Sequence, residues 1–110
     1  MKTFAEFWPF YCREHRNPLT RRLHFIGSIL GPVAATALFI RTGSGHAFWL
    51  WPACGYGFAW FAHFFVEKNR PATFTHPFYS LAGDYVMVWK MLAGKMDKEV
   101  SEALDERRAA

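Results

Sequence analysis

Two apolar runs joined by a short polar stretch constrain this chain more than any other feature. Residues 23–40 read LHFIGSILGPVAATALFI, with no formal charge when His24 is neutral. Residues 47–66 form a second such run. A bilayer crossing needs about 20 consecutive apolar residues, with about 17 near the lower limit. The intervening RTGSG is too short for anything but a turn between antiparallel helices. The expected fold is all-α: a single integral membrane domain, built as a helical hairpin of two spans with flanking amphipathic helices. Span 1 covers residues 17–41 and span 2 residues 46–67.

The flanks follow from periodicity and caps. Residues 1–16 place Phe4, Phe7, Trp8 and Tyr11 at helical spacing, with Pro9 expected to kink or divide the segment. Asn17 is a good N-cap and Pro18 suits a first helical position. Pro32 should bend the first span. Gly27 and Gly31 form GxxxG, a face on which a partner helix can approach closely, and from it a homo-oligomer is expected. Gly55, Ala59 and Ala62 offer a small-residue face to the first span. Asp84 and Lys90 argue against a third span, so residues 77–94 are read as a helix packed on the hairpin or lying in the interface. Residues 97–110 are read as a solvated, charged tail.

Charge sets the orientation. The net charge is +4, and the basic residues flank the apolar runs. That pattern suits anionic lipid headgroups or a carboxylate substrate better than nucleic acid. Lys2, Arg13, Arg16, Arg21 and Arg22 precede the hairpin, Lys68 and Arg70 follow it, and the turn holds only Arg41. Both termini are therefore expected in the cytoplasm. Charged residues interrupt the N-terminal segment, so insertion is expected to use internal segments rather than a cleaved leader. Cys12 and Cys54 form no CxxC pair, which argues against a disulfide or zinc framework.

There are five histidines. Helix direction alone gathers His15, His24, His63 and His76 at one, cytoplasmic, end of the hairpin, and leaves His46 at the other. Imidazole suits zinc, copper, iron and nickel. No compact motif such as HExxH is present, so spacing supports equally a metal site or four separate interfacial and capping histidines.

The segments EHRNPLTRRLHFIG, GYGFAWFAHFFVEKNRPATFTHP and YSLAGDYVM resemble the 2-hydroxypalmitate dioxygenase family of small membrane proteins. The resemblance covers roughly residues 4–90, and EKNRPAT is its most specific block. It implies a non-haem dioxygenase that uses Fe(II) and dioxygen to shorten a 2-hydroxy fatty acid by one carbon. It marks His15, His24, His63 and His76 as catalytic and metal-binding. A 2-hydroxy acid can chelate iron through carboxylate and hydroxyl, and dioxygen takes a further position. An octahedral ion then has about three positions left for protein. Either one of the four histidines is not a ligand, or the substrate binds through one atom. Glu67 and Asp84 are candidates to orient the ligand imidazoles, and Asn17 and Asn69 to hydrogen-bond the site. Arg21, Arg22, Lys68 and Arg70 are candidates to hold the substrate carboxylate, although each also serves as topology charge. Two rivals stand beside this reading: a non-catalytic membrane protein that binds lipid or a partner, and another metal-dependent lipid enzyme. The enzyme would sit in the inner membrane of a bacterium or the endoplasmic reticulum of a eukaryote.

Overall fold

The computed structural model describes residues 1–109, and among them there are helices and no strands. Helix α1 (Phe4–Glu14) starts on Thr3, whose hydroxyl accepts from the Glu6 amide. It runs through Pro9 as one helix and does not divide there. Proline lacks the amide that would reach the carbonyl four residues back. That residue is Ala5, which is exposed and open to water.

Helix α2 (Pro18–Thr42) begins where Asn17 accepts from the Leu19 amide and Pro18 takes the first turn. It stays helical through Pro32 and ends at Gly43, in the left-handed conformation with φ 71°. That conformation lets the Gly43 amide bond back to Phe39. Among the described residues α2 is the one helix long and apolar enough to cross a membrane.

The second apolar run is not one regular helix. It divides into a 3-10 turn (Gly45–Trp49), helix α3 (Leu50–Phe61) and a π-helical turn (Ala62–Glu67). Twelve α-helical residues rise about 18 Å. The hydrocarbon core is about 30 Å thick, so α3 by itself falls short of a span.

Helices α2 and α3 pack antiparallel through two glycines. A Cβ added at Gly27 would lie 2.9 Å from the Phe58 Cβ, and one at Gly31 would lie 2.7 Å from the Trp51 carbonyl oxygen. Without side chains there, the two backbones approach closely. The GxxxG face expected to receive a second copy is thus filled by α3 of the same chain. Ala59 and Ala62 are buried, whereas Gly55 faces a groove.

Helix α4 (Pro77–Leu92) packs on α2 and α1, and Gly94, with φ 71°, follows its end. A Cβ at Gly83 would meet the Tyr11 ring at 2.9 Å, so this glycine fixes how near α4 comes to α1. Helix α5 (Met96–Ala109) is more than a solvated tail. Met96, Val100 and Ala103, spaced along one helical face, are buried with Phe7, Tyr11, Cys12 and Met87 in one core. Ion pairs from Arg21 to Asp97 (2.6 Å) and Lys90 to Glu99 (2.7 Å) tie its first turn to α2 and α4.

Candidate metal centre

Three histidines meet where α1 ends, α2 begins and the π turn closes. His15 is the residue after α1, His24 lies in the second turn of α2, and His63 lies in the π turn. All three are buried. Their ring centroids are 4.4, 4.6 and 4.9 Å apart, with each pair of rings near perpendicular. One ligating nitrogen from each lies within 4.8 Å of the others, and the His15 and His24 Nε2 atoms are 3.1 Å apart.

The outer nitrogens decide which tautomer each ring adopts. His15 Nδ1 is 2.6 Å from the Tyr11 carbonyl oxygen, and His24 Nδ1 is 2.9 Å from that of Thr20. A carbonyl oxygen only accepts, so both Nδ1 atoms carry the proton and donate. His63 Nδ1 is 2.7 Å from Asn69 Oδ1. The orientation of that amide is fixed from its other side. Asn69 Nδ2 donates to the Glu14 carbonyl (3.0 Å) and carboxylate (2.5 Å), both acceptors. His63 Nδ1 therefore donates as well. With every Nδ1 proton directed outward, three Nε2 lone pairs are left facing one buried space. Burial, reinforced by the two neighbouring rings, holds the His15 imidazole well below its ordinary range. Neutral imidazoles whose other N–H is bonded to an oxygen are the form in which histidine ligates metal. The donor set fits a metal ion.

The π turn is what brings Asn69 to His63. The Lys68 and Asn69 amides both bond to the His63 carbonyl, the latter at 2.9 Å. Lys68 adopts φ 58°, in the left-handed region where non-glycine residues are uncommon. The chain doubles back there, and the Asn69 side chain returns to the imidazole it has just passed. Wide turns of this kind occur often at functional sites.

A second layer holds the strand of chain between α1 and α2. Arg21 is buried and donates to the carbonyls of His15 (2.7 Å) and Arg16 (2.9 Å) and to Asp97. Its guanidinium is engaged with protein rather than open to a substrate carboxylate. Glu67 accepts from the Asn17 amide at 2.5 Å, joining the end of the π turn to the start of α2. Neither Glu67 nor Asn17 touches a histidine directly. The Tyr11 ring stacks on His15 at 3.9 Å, and its hydroxyl donates to Asp84. Burial pushes the Tyr11 hydroxyl well above its usual range and the Asp84 carboxyl up to about 7. Burial likewise pushes the Cys12 thiol up to about 12, so it is a packing residue rather than a thiolate ligand.

His76 is not brought into the cluster. Its ring lies among Phe7, Phe10 and Tyr79, with centroids 5.4–6.5 Å away, and its Nδ1 is 2.9 Å from the Thr75 hydroxyl. His46 is exposed on the 3-10 turn at the far end of α3. Arg22, Lys68 and Arg70 are exposed, and the Arg70 guanidinium lies 5.2 Å above the Phe74 ring. Sequence reasoning missed Tyr11, Thr20 and Glu14. Two of these act through main-chain carbonyls, which no side-chain pattern reveals. Glu14 stands next to His15 and was the one legible hint.

A groove of about 460 Å³ lies between α3 and α4. Phe78, Leu81 and Tyr85 line it from α4, and Gly55 and Tyr56 from α3. Asp84 contributes a carboxyl to an otherwise largely apolar wall. At one side Trp51 Nε1 donates to the Tyr85 hydroxyl (2.7 Å), which donates to the Ser28 carbonyl (3.2 Å), and this links α3, α4 and α2.

A protein-family model described as 2-hydroxy-palmitic acid dioxygenase Mpo1-like matches residues 1–96, and the chain belongs to that family. No curated protein and no solved structure matched it.

Proposed function

We propose, with that membership as premise, that this chain is a membrane-embedded, iron(II)-dependent dioxygenase that shortens 2-hydroxy fatty acids by one carbon. One observation carries the reading: three neutral imidazoles turn their Nε2 lone pairs toward one buried space, each held there by an oxygen on its Nδ1. His15, His24 and His63 would hold the iron, which when bound supplies the redox-active centre for dioxygen chemistry. The net change balances without an outside reductant. The hydroxy acid and one dioxygen give the acid one carbon shorter, carbon dioxide and water. The C1–C2 bond breaks, and the substrate's own electrons reduce the oxygen.

The chain's residues do the positioning. Tyr11, Thr20 and Asn69 keep the Nδ1 protons directed outward and so fix the rings. Burial of the three rings and the Tyr11 stack keep bulk water from the cluster. Arg22, Lys68 and Arg70 stand exposed near His24 and His63 and attract the substrate carboxylate. The groove beside Asp84 takes the acyl chain.

The hairpin crosses the bilayer with both termini cytoplasmic. Supporting this are the exposed Ile26, Ile29, Leu30 and Val33 on α2, Phe61 at the end of α3 and Phe64 and Phe65 in the π turn, a broad apolar surface of the kind that marks a membrane or partner contact. The basic residues at the histidine end support the orientation. A cysteine placed at Ser44 should react with an impermeant reagent from outside the cell.

The deciding experiment is metal analysis of anaerobically purified protein, followed by oxygen uptake with 2-hydroxypalmitate. Stoichiometric iron, uptake that depends on the hydroxy acid, and a product one carbon shorter are expected. Zinc with oxygen-independent turnover would replace the reading with hydrolytic metal chemistry. No metal and no uptake would reject an enzyme.

A further inference from the structure

Within the groove, the distribution of polar groups is uneven in a way that points to the substrate's second carbon. The wall is largely apolar, as an acyl chain requires, but Asp84 places a carboxyl in it. Asp84 is half-buried, and a carboxyl with little access to water gains from each hydrogen bond that its oxygens accept. Among the described residues Asp84 has one hydrogen-bond partner, the Tyr11 hydroxyl on Oδ1. A carboxyl has about four acceptor sites, so most of its capacity is unused. Of the hydroxyl-bearing residues that line the groove with it, Tyr56, Ser28 and Tyr85, the Tyr85 hydroxyl is already committed to Trp51 and the Ser28 carbonyl. Asp84 is also tied to the histidines. Tyr11, which holds it, stacks on His15 at 3.9 Å and gives its carbonyl to His15 Nδ1. Asp84 is thus the residue of the groove wall that is linked, through Tyr11, to the cluster.

A 2-hydroxy fatty acid has two polar groups. Its carboxylate is anionic and is repelled by Asp84 wherever that side chain is ionised. Its 2-hydroxyl is a donor and has no such conflict. Resting on the function proposed above, we propose that Asp84 accepts a hydrogen bond from the 2-hydroxyl of the substrate, and so selects 2-hydroxy acids over unsubstituted fatty acids. Tyr11 acts as its positioning residue. A site built to bond a hydroxyl rejects the analogue lacking it because the protein group is then left without its partner. Selection for the hydroxyl thus lies in α4, outside the metal ligands.

The test measures binding rather than turnover. The full chain is placed in lipid nanodiscs, and equilibrium binding of radiolabelled 2-hydroxypalmitate, palmitate and 2-fluoropalmitate is measured against protein-free nanodiscs. Fluorine approximates the size of the hydroxyl but cannot donate. Wild type should bind the hydroxy acid up to about tenfold tighter than either analogue, the upper end for an ordinary hydrogen bond. Asp84→Asn keeps the side-chain volume and an oxygen for Tyr11 but presents an amide to the groove. It should bind all three acids about equally, at the wild-type affinity for palmitate, with its metal content unchanged. The preference persisting in Asp84→Asn overturns the inference and leaves the enzyme reading intact. If that variant does not fold, the comparison of ligands on wild type decides: 2-fluoropalmitate binding as tightly as the hydroxy acid overturns it. A wild type that binds none of the acids and holds no iron overturns the inference together with the function on which it rests.

Discussion

The end of the molecule that carries the histidines and the end that carries the turn are built on opposite rules. Around the histidines, Phe7, Tyr11, Cys12 and Met87 have no exposed surface, and α1, α4 and α5 contribute to one core. At the other end Val33 is 61%, Ile40 78% and Trp49 71% exposed. The residues there are no less apolar. What differs is the number of helices around them. Helices α2 and α3 alone form a layer two helices wide, and a helix can bury only the side that faces its neighbour. Once α1, α4 and α5 join them, the side that carries the histidines is covered, while Phe64 and Phe65 on the opposite side of the π turn stay exposed. Hydrogen bonds follow the same division, with side-chain bonds to main-chain carbonyls gathered around His15, His24 and Asn69. One end is finished by protein, and the other leaves its apolar side chains exposed.

That contrast can be broken most severely at the cluster. His15→Ala, His24→Ala and His63→Ala should each reduce bound iron to background, because each removes a coordinating nitrogen. His76→Ala and His46→Ala should retain it. Metal per folded chain for the five variants is the measurement, and a His76→Ala protein empty of iron would bring that residue back into the site. A smaller effect is expected one bond away. Asn69→Ala leaves His63 in place but frees its ring, and should weaken metal affinity or activity about 10–100-fold. Titration with Co(II), followed by its absorbance, reads this directly.

The apolar end should respond to packing and not to polarity. Gly31→Val forces a side chain against the Trp51 carbonyl and should cost roughly 1–3 kcal/mol or more, as overpacked contacts do. Denaturant unfolding in detergent measures it, and iron per folded chain should stay unchanged. The mildest change lies at the junction. Lys68→Gly relieves a left-handed backbone that lysine adopts at a cost, and the flexibility of glycine offsets part of the gain. A rise in stability of about 1 kcal/mol or less is expected, with a modestly weaker apparent affinity for the hydroxy acid because one attracting charge is lost. A large loss of turnover would show that the lysine side chain itself meets the substrate.

The parts of this fold legible in the residues are those that local chemistry dictates. Asn17 followed by Pro18 announces the start of α2, and RTGSG announces the turn. The grouping of His15, His24 and His63 follows from the direction of two helices. His76 shows where that reasoning stops. Helix direction tells at which end a residue lies, but not where around the bundle it points, and the His76 ring ends among aromatic neighbours instead of imidazoles. Helix α5 was hidden because its buried face is only Met96, Val100 and Ala103 against a background of charge. The π turn was hidden because no residue type marks a shift of one hydrogen bond along an otherwise regular helix. The Glu14–Asn69 contact required knowing that the end of α1 lies beside the loop after that turn.

The π turn makes the site depend on arithmetic as much as on chemistry. An α-helix advances about 100° per residue, so one residue more or less rotates everything after it by more than a quarter of a circle. From His63 to Asn69 the chain must close on itself, with the asparagine amide returning to the imidazole and to Glu14. Removing any one residue between them would let the segment relax into a regular helix and would keep every histidine, yet leave His63 without the partner that fixes its proton. A chain with the complete set of ligands but one residue short in this turn would keep the outward form of the enzyme and lose its chemistry. The length of this short segment is thus as informative about activity as the histidines themselves.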